Sequence, residues 1–291
     1  MALSTVRNVS ELRTQVRAWR ADGLSVGLVP TMGALHAGHL RLVHTALNQC
    51  DRVVVSLFVN PTQFGEGEDF SVYPRDEDAD RALLESEGAH LLFAPSVAEM
   101  YPEQADDGAA GVEVHVPGLD STLEGVCRPG HFTGVATVVS KLLLQSLADH
   151  AFFGEKDYQQ LQVIKLVARD LCIPTEVHGV ATLREDDGLA MSSRNRYLSA
   201  GERTTAPRLY EVLCKVAMDF KRGGSGIDLC RAAEVALADF GFGPVDYVAI
   251  ADANTLEPLA AYDAHRPARV LAAAGLGRAR LIDNIAVDSG N

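Results

Sequence analysis

A chain of 291 residues has room for one large domain or two ordinary ones. An apolar share of 47% without long polar tracts excludes a disordered chain. Lys and Arg number 26 against 39 Asp and Glu, and the net charge of −13 disfavours non-specific binding to nucleic acid or an anionic membrane while leaving room for a local pocket for a small anion.

The N-terminus has no apolar leader segment; Val9, Leu12, Val16 and Trp19 recur at helical spacing behind Ser10, the expected N-cap. No apolar run is long enough to cross a membrane. Five scattered cysteines, never in a Cys-x-x-Cys pair, point away from a zinc or disulfide framework and towards reduced thiols, so the expected location is cytoplasmic.

In chain order, short β-like runs alternate with helical stretches, the pattern of a parallel α/β fold. Strands are predicted at 24–29, 52–59, 90–94, 150–154 and 175–180, and helices at 10–20, 38–50, 75–87, 133–146 and 157–171. The runs 24–29 and 53–58 are nearly all apolar, as strands buried on both faces are. The polar stretch 184–199 breaks this rhythm. Helical runs at 200–221 and 227–240 follow, separated by Gly223-Gly224-Ser225-Gly226, read as a flexible loop. Short strands are then predicted at 245–251, 269–274 and 280–285. The expected architecture is a Rossmann-like parallel-sheet domain over 1–180 and a smaller α+β domain over 181–291, with a hinge near Leu183.

Ligands of such sheets bind beyond the carboxyl ends of the strands, and five polar clusters merit attention there. Pro30-Thr31-Met32-Gly33-Ala34-Leu35-His36-Ala37-Gly38-His39 follows a strand and opens a helix. Its two histidines fall near the first helical turn, where unpaired N–H groups and the positive dipole end attract anions. The second cluster, Asn60-Pro61-Thr62-Gln63, offers amides that read hydroxyls and carboxylates, and is equally a plain turn. In Gly154-Glu155-Lys156-Asp157-Tyr158-Gln159-Gln160, Lys156 suits phosphate, while Asp157 and Gln160 also suit a helix cap. Met191-Ser192-Ser193-Arg194 supplies hydroxyls and a guanidinium from a loop; it resembles the Lys-Met-Ser-Lys-Ser loop of class I aminoacyl-tRNA synthetases, and is equally a polar linker. Last, Arg128-Pro129-Gly130-His131 opens a helix, with Arg128 able to meet a carboxylate or phosphate. The acid run 66–69 reads as a solvated loop that could help to hold magnesium.

Taken together and in this order, the clusters resemble those of the pantothenate synthetase (pantoate–β-alanine ligase) family. That resemblance implies a Rossmann-like N-terminal domain, a C-terminal lid and a homodimer. It also implies ATP and Mg²⁺-dependent joining of pantoate and β-alanine through a pantoyl adenylate, with release of AMP and pyrophosphate. By position, Met32, His36, Gly38 and His39 match the family's ATP-phosphate motif, joined by Lys156, Met191, Ser192, Ser193 and Arg194. Gly154 and Asp157 match ribose contacts, and Leu183 a backbone contact to adenine. Gln63 and Gln160 match the pair that holds pantoate, with Pro30, Thr31 and Asn60 at the substrates. His36, His39, Lys156 and Arg194 are implied as catalytic, and the protein ligands of magnesium stay open. A cytidylyltransferase of the same superfamily, a tRNA synthetase fragment and a non-catalytic nucleotide sensor remain as other readings.

Overall fold

The structure, a computed structural model, describes residues 3–65, 67–102 and 111–287. Its described residues divide into two compact units. One runs up to Glu155 and includes Val163–Ala181; the other holds Lys156–Gln162 and the chain from Thr182 onward.

The first unit carries six strands: β1 (Ser4–Val6), β2 (Val26–Thr31), β3 (Arg52–Leu57), β4 (Leu91–Phe93), β5 (His150–Gly154) and β6 (Glu176–Val180). They form one sheet in the order β1-β4-β3-β2-β5-β6, with every pairing parallel. Central strands are sealed on both faces: Val26, Leu28, Val29, Val53, Val54 and Val55 are fully buried, as the uninterrupted apolar runs require. β1 was not foreseen. Three residues are too few to show an alternating pattern, and they pair only with β4 at the sheet edge.

Helix boundaries follow their caps. The helix Val9–Ala21 begins behind Asn8, whose Oδ1 accepts from Glu11 N at 2.9 Å, so the expected cap at Ser10 is corrected. Asn and Ser cap about equally well, and Asn8 is reached first. The next helix, Ala37–Gln49, is capped by His36. Asp76 caps Glu77–Glu87 with a bond to Ala79 N at 3.1 Å, two residues later than the predicted start. His131–Ser146 begins two residues earlier than predicted, behind Gly130 at φ 81°. The helix Tyr158–Asp170 follows a 3-10 turn at Glu155–Asp157.

The second unit carries an antiparallel sheet, β7 (Val245–Asp252), β8 (Ala268–Leu276) and β9 (Ala279–Ala286), in sequence order. The helices Arg208–Lys221 and Gly226–Asp239 pack on it around Phe220, Leu213, Leu237, Val270 and Ala272. The single helical run expected over 200–221 is two helices, because Pro207 lacks the N–H that continuity needs; Ala200–Thr205 ends before it. The glycine-rich stretch is a hydrogen-bonded turn rather than a loose loop. Gly224 N donates to Asp219 O at 3.0 Å and Gly226 N to Ala260 O at 2.8 Å, and a Cβ at Gly226 would lie 2.3 Å from Leu259 O.

Among the described residues, no helix is long and apolar enough to cross a membrane.

Candidate functional site

At the carboxyl end of β2 the chain makes a tight turn into the helix Ala37–Gln49. Thr31 Oγ1 donates to Ser56 O at 2.8 Å, fixing the end of β2 to β3. Gly33 and Ala34 then both take positive φ, 86° and 52°. The carboxylate of Asp80, itself buried, accepts from Ala34 N at 2.8 Å and Leu35 N at 2.7 Å. A Cβ on residue 33 would meet Asp80 Oδ2 at 2.9 Å, so close support of the turn also asks for glycine there.

His36 and His39 form a reciprocal cap on this helix. His36 Nδ1 accepts from Gly38 N at 3.1 Å, and His39 Nδ1 accepts from His36 N at 3.4 Å. The ring centroids are 4.1 Å apart. A neutral imidazole that accepts at Nδ1 carries its proton on Nε2. The cap therefore fixes two side-chain N–H donors as neighbours at the positive end of a helix dipole, an arrangement suited to phosphate oxygens.

Asn60, at the end of β3, is buried and its amide turns inward. Nδ2 donates to Gln63 Oε1 at 3.1 Å and to Gly134 O at 3.2 Å. Oδ1 accepts from Tyr101 OH at 2.7 Å and Thr62 Oγ1 at 3.1 Å. Asn60 thus acts on Gln63, whose Nε2 reaches Met32 Sδ at 3.2 Å. Met32, Asn60 and Gln63, drawn from two separate motifs, are brought together.

The backbone of Gln63 is held as well. His131 Nδ1 donates to Gln63 O at 2.8 Å, and Arg128 NH1 lies 3.0 Å from His131 Nε2. Burial, aided by the Arg128 charge, pushes the His131 imidazole down to about 4, against weaker support for the charged form from Gln63 O, Glu68 and Glu124. The neutral ring matches the geometry, donating at one nitrogen and accepting at the other. Arg128 in turn grips Glu68 through two bonds of 2.7 Å. Burial opposes the charge on Glu68, but the hydrogen bonds and charge of Arg128 outweigh it and hold the carboxyl below its ordinary value. The reading of 66–69 as a solvated loop is corrected at Glu68: its partner lies 60 residues away, out of reach of local sequence patterns. Glu66 and the Asp69 side chain lie outside the described residues.

In the first unit Pro30 and Thr31 close β2, Gly38 opens the helix, and Gly154 closes β5. In the second unit, Lys156 and Ser192 line one small cavity of about 10 Å³ with Asn195, Tyr210 and Asp283. Asn284 Nδ2 holds Lys156 O at 2.9 Å, and Lys156 Nζ lies 3.9 Å from Asp157 Oδ1. Arg269 bonds Asn284 and stacks on the Tyr158 ring at 3.8 Å. Around the serine loop, Ser192 Oγ accepts from Arg194 N at 3.2 Å and opens the 3-10 turn Ser193–Tyr197. Leu183 O accepts from Met191 N at 3.0 Å. Arg203 clamps Glu185 and Asp187 at 2.5 and 2.6 Å, and Arg184 forms a two-bond pair with Asp283 at 2.7 and 2.9 Å. Gln160 sits in the first turn of Tyr158–Asp170, half-buried.

Asp80, Tyr101, Asp283 and Asn284 were not singled out from the sequence. Each is joined to its motif only by the fold. Asp80 also stands in an acidic first helical turn, where carboxylates are common for helical reasons alone.

A family described as pantoate-β-alanine ligase matches residues 4–286. The chain is 57% identical over 287 residues to a pantothenate synthetase of Paramagnetospirillum magneticum, covering 99% of both chains. Among solved structures it is similar to pantothenate synthetase from Thermus thermophilus, at 49% identity and TM-score 0.87, covering 98% of this chain and 99% of that one. It is also similar to pantoate-β-alanine ligase from Francisella tularensis complexed with β-γ ATP and β-alanine, at 31% identity and TM-score 0.82, covering 99% of each.

Proposed function

The chain belongs to the pantoate–β-alanine ligase family, amide-forming ligases of pantoate and β-alanine that use ATP, and from that premise we propose that it works in two steps through an enzyme-bound pantoyl adenylate. A carboxylate oxygen of pantoate attacks the α-phosphorus of ATP, and the bond to the bridging oxygen breaks as pyrophosphate leaves. The uncharged amine of β-alanine then attacks the acyl carbon, the bond to the adenylate oxygen breaks, and AMP departs with the electron pair. The amine proton passes to solvent.

The observation that carries this reading is the reciprocal cap of His36 and His39. With both Nδ1 atoms engaged by the backbone, the two Nε2–H groups are set in advance as donors for charge that grows on the phosphates. Lys156 and Arg194 are assigned to the same triphosphate as cations, with the Ser192 and Ser193 hydroxyls as donors and Met32, Gly38 and Met191 beside it. Gly154 and Asp157 are assigned to the ribose, and Leu183 to the adenine through its backbone. Gln63 and Gln160 are assigned to pantoate, near Pro30 and Thr31. Asn60 serves by orienting the Gln63 amide, which its inward bonds support. No covalent enzyme intermediate is required.

Magnesium is assigned to the nucleotide's own phosphate oxygens, entering as MgATP. It prefers oxygen donors, so the two imidazoles suit it poorly. Two carboxylates bonded to motifs of the first unit are engaged, Asp80 with two backbone N–H groups and Glu68 with Arg128. The cytoplasmic location is supported by five cysteines that form no disulfide with one another, and the homodimer by the family resemblance; sedimentation equilibrium at micromolar protein tests the latter.

The deciding experiment mixes the protein with ATP, Mg²⁺ and pantoate, with and without β-alanine. Pyrophosphate exchange into ATP should require pantoate and proceed without β-alanine, and adding β-alanine should yield pantothenate and AMP by mass. Exchange independent of pantoate, or AMP without pantothenate, overturns the reading.

A further inference from the structure

Away from the strand ends that carry the nucleotide motifs, β5 and β6 bring three metal-ligating side chains together at their opposite, amino-terminal ends. Their parallel register pairs His150 with Glu176 and Phe152 with His178. Side chains two apart on a strand share a face, so Glu176, His178 and His150 project on the same side of the sheet. His150 Nδ1 lies 3.0 Å from His178 Nε2, Glu176 Oε2 lies 3.5 Å from His150 Nδ1, and Glu176 Oε1 lies 3.8 Å from His178 Nε2. One ligand atom from each residue fits within 4.8 Å of the others.

We propose that His150, Glu176 and His178 form a binding site for a divalent transition-metal cation of the zinc type, which fastens the edge strand β6 to β5. Tetrahedral zinc, with bonds of about 2.0–2.1 Å, sets its ligand atoms roughly 3.3 Å apart. The two ring nitrogens already lie near that spacing, and a rotation of the exposed Glu176 carboxylate brings one of its oxygens from within 4.8 Å into reach of the same ion. Two imidazoles and one carboxylate are a common donor set for zinc with one position left for water.

The facing nitrogens share one proton in the metal-free protein, one ring donating and the other accepting. On binding, the donor ring shifts that proton to its other nitrogen, and both lone pairs face the cation with no net release of protons. The site is braced at one flank and open to solvent. The His178 ring stacks on the fully buried Phe152 ring at 5.0 Å and 17°, while the Glu176 side chain is 67% exposed and gives the ion a route in. A neutral ring is the form that binds metal. Four strand steps, about 13 Å, separate His150 from Gly154 at the other end of β5, so this centre stands apart from the adenylate chemistry and its fate is independent of that reading.

The test titrates untagged, chelator-treated full-length protein with Co²⁺ in the absence of nucleotide, following visible ligand-field absorption, and then displaces it with Zn²⁺. One equivalent per chain is expected, with absorption of four-coordinate intensity that Zn²⁺ abolishes. His178→Gln and the milder Glu176→Gln, at an exposed position, should each weaken Co²⁺ binding at least about tenfold, while Glu176→Gln leaves the rate of pantothenate formation unchanged. Absence of a stoichiometric Co²⁺ complex in the native protein, or equal affinity in native protein and both variants, overturns the proposal.

Discussion

Two turns at neighbouring strand ends reach a similar rigidity by different means. The turn after β2 is secured partly from within, by two histidines three residues apart that together cap one helix start, and partly by Asp80. The turn after β3 is secured from far along the chain: Asn60 by Tyr101 and Gly134, 41 and 74 residues on, and Gln63 by His131, 68 residues on. In the first, the histidines that support are also the groups assigned to the ligand. In the second the two jobs are separated, with Asn60, His131 and Arg128 supporting and Gln63 the residue assigned to substrate. A substitution in the first turn should thus mix losses of folding and function, whereas the second permits the support to be changed while the acting residue stays.

Asp80 tests how local the first turn is. Asp80→Ala removes the acceptor of two buried N–H groups and should lower unfolding stability by about 4 kcal/mol, read from urea midpoints; a loss below about 1 kcal/mol would show that the histidine cap suffices alone. The second turn should reveal itself through pH. His131 titrates in the fold near 4, below the ordinary value near 6.5 that the unfolded chain keeps. As pH falls, the unfolded chain takes up the proton first. The stabilisation is whole above pH 6.5 and fades as pH drops towards 4, on the order of 3 kcal/mol in all. His131→Asn should flatten that window in urea titrations run at stepped pH, and an unchanged slope would remove His131 as its source.

Within the first turn, His39→Ala should reduce AMP release at least about a hundredfold, about 2.7 kcal/mol of barrier, and cost about 1 kcal/mol of stability through the lost cap. A native rate would take the imidazole out of the chemistry. The smallest effect is Tyr101→Phe, which deletes one hydrogen bond to Asn60 and should cost about 1 kcal/mol of stability. Its rise in the KM for pantoate should exceed its fall in kcat if the Asn60–Gln63 pair orients that substrate.

The same contrast explains what the sequence could convey. The apolar runs of β2 and β3 announce buried parallel strands because each residue carries the signal itself, and the histidine pair is legible because a cap lies within four residues. β1 carries too few residues to show a period, and Pro207 divides a run whose apolar spacing continues across it. Asn60 reads from sequence as an amide for a ligand. Its inward orientation depends on Tyr101, which no local pattern connects to it. The meeting of His150 with His178 likewise exists only through the parallel register of β5 and β6.

Gly134 sets a gauge between two elements. Its carbonyl receives the Asn60 amide, and a single methyl on its Cα would stand 2.3 Å from Thr62 O. The helix and the turn are therefore machined to a clearance that admits hydrogen and nothing larger. Even alanine, the mildest replacement, would have to lever the Gln63 loop away from the helix. A saturation library at this position, screened for pantothenate formation, should return glycine alone.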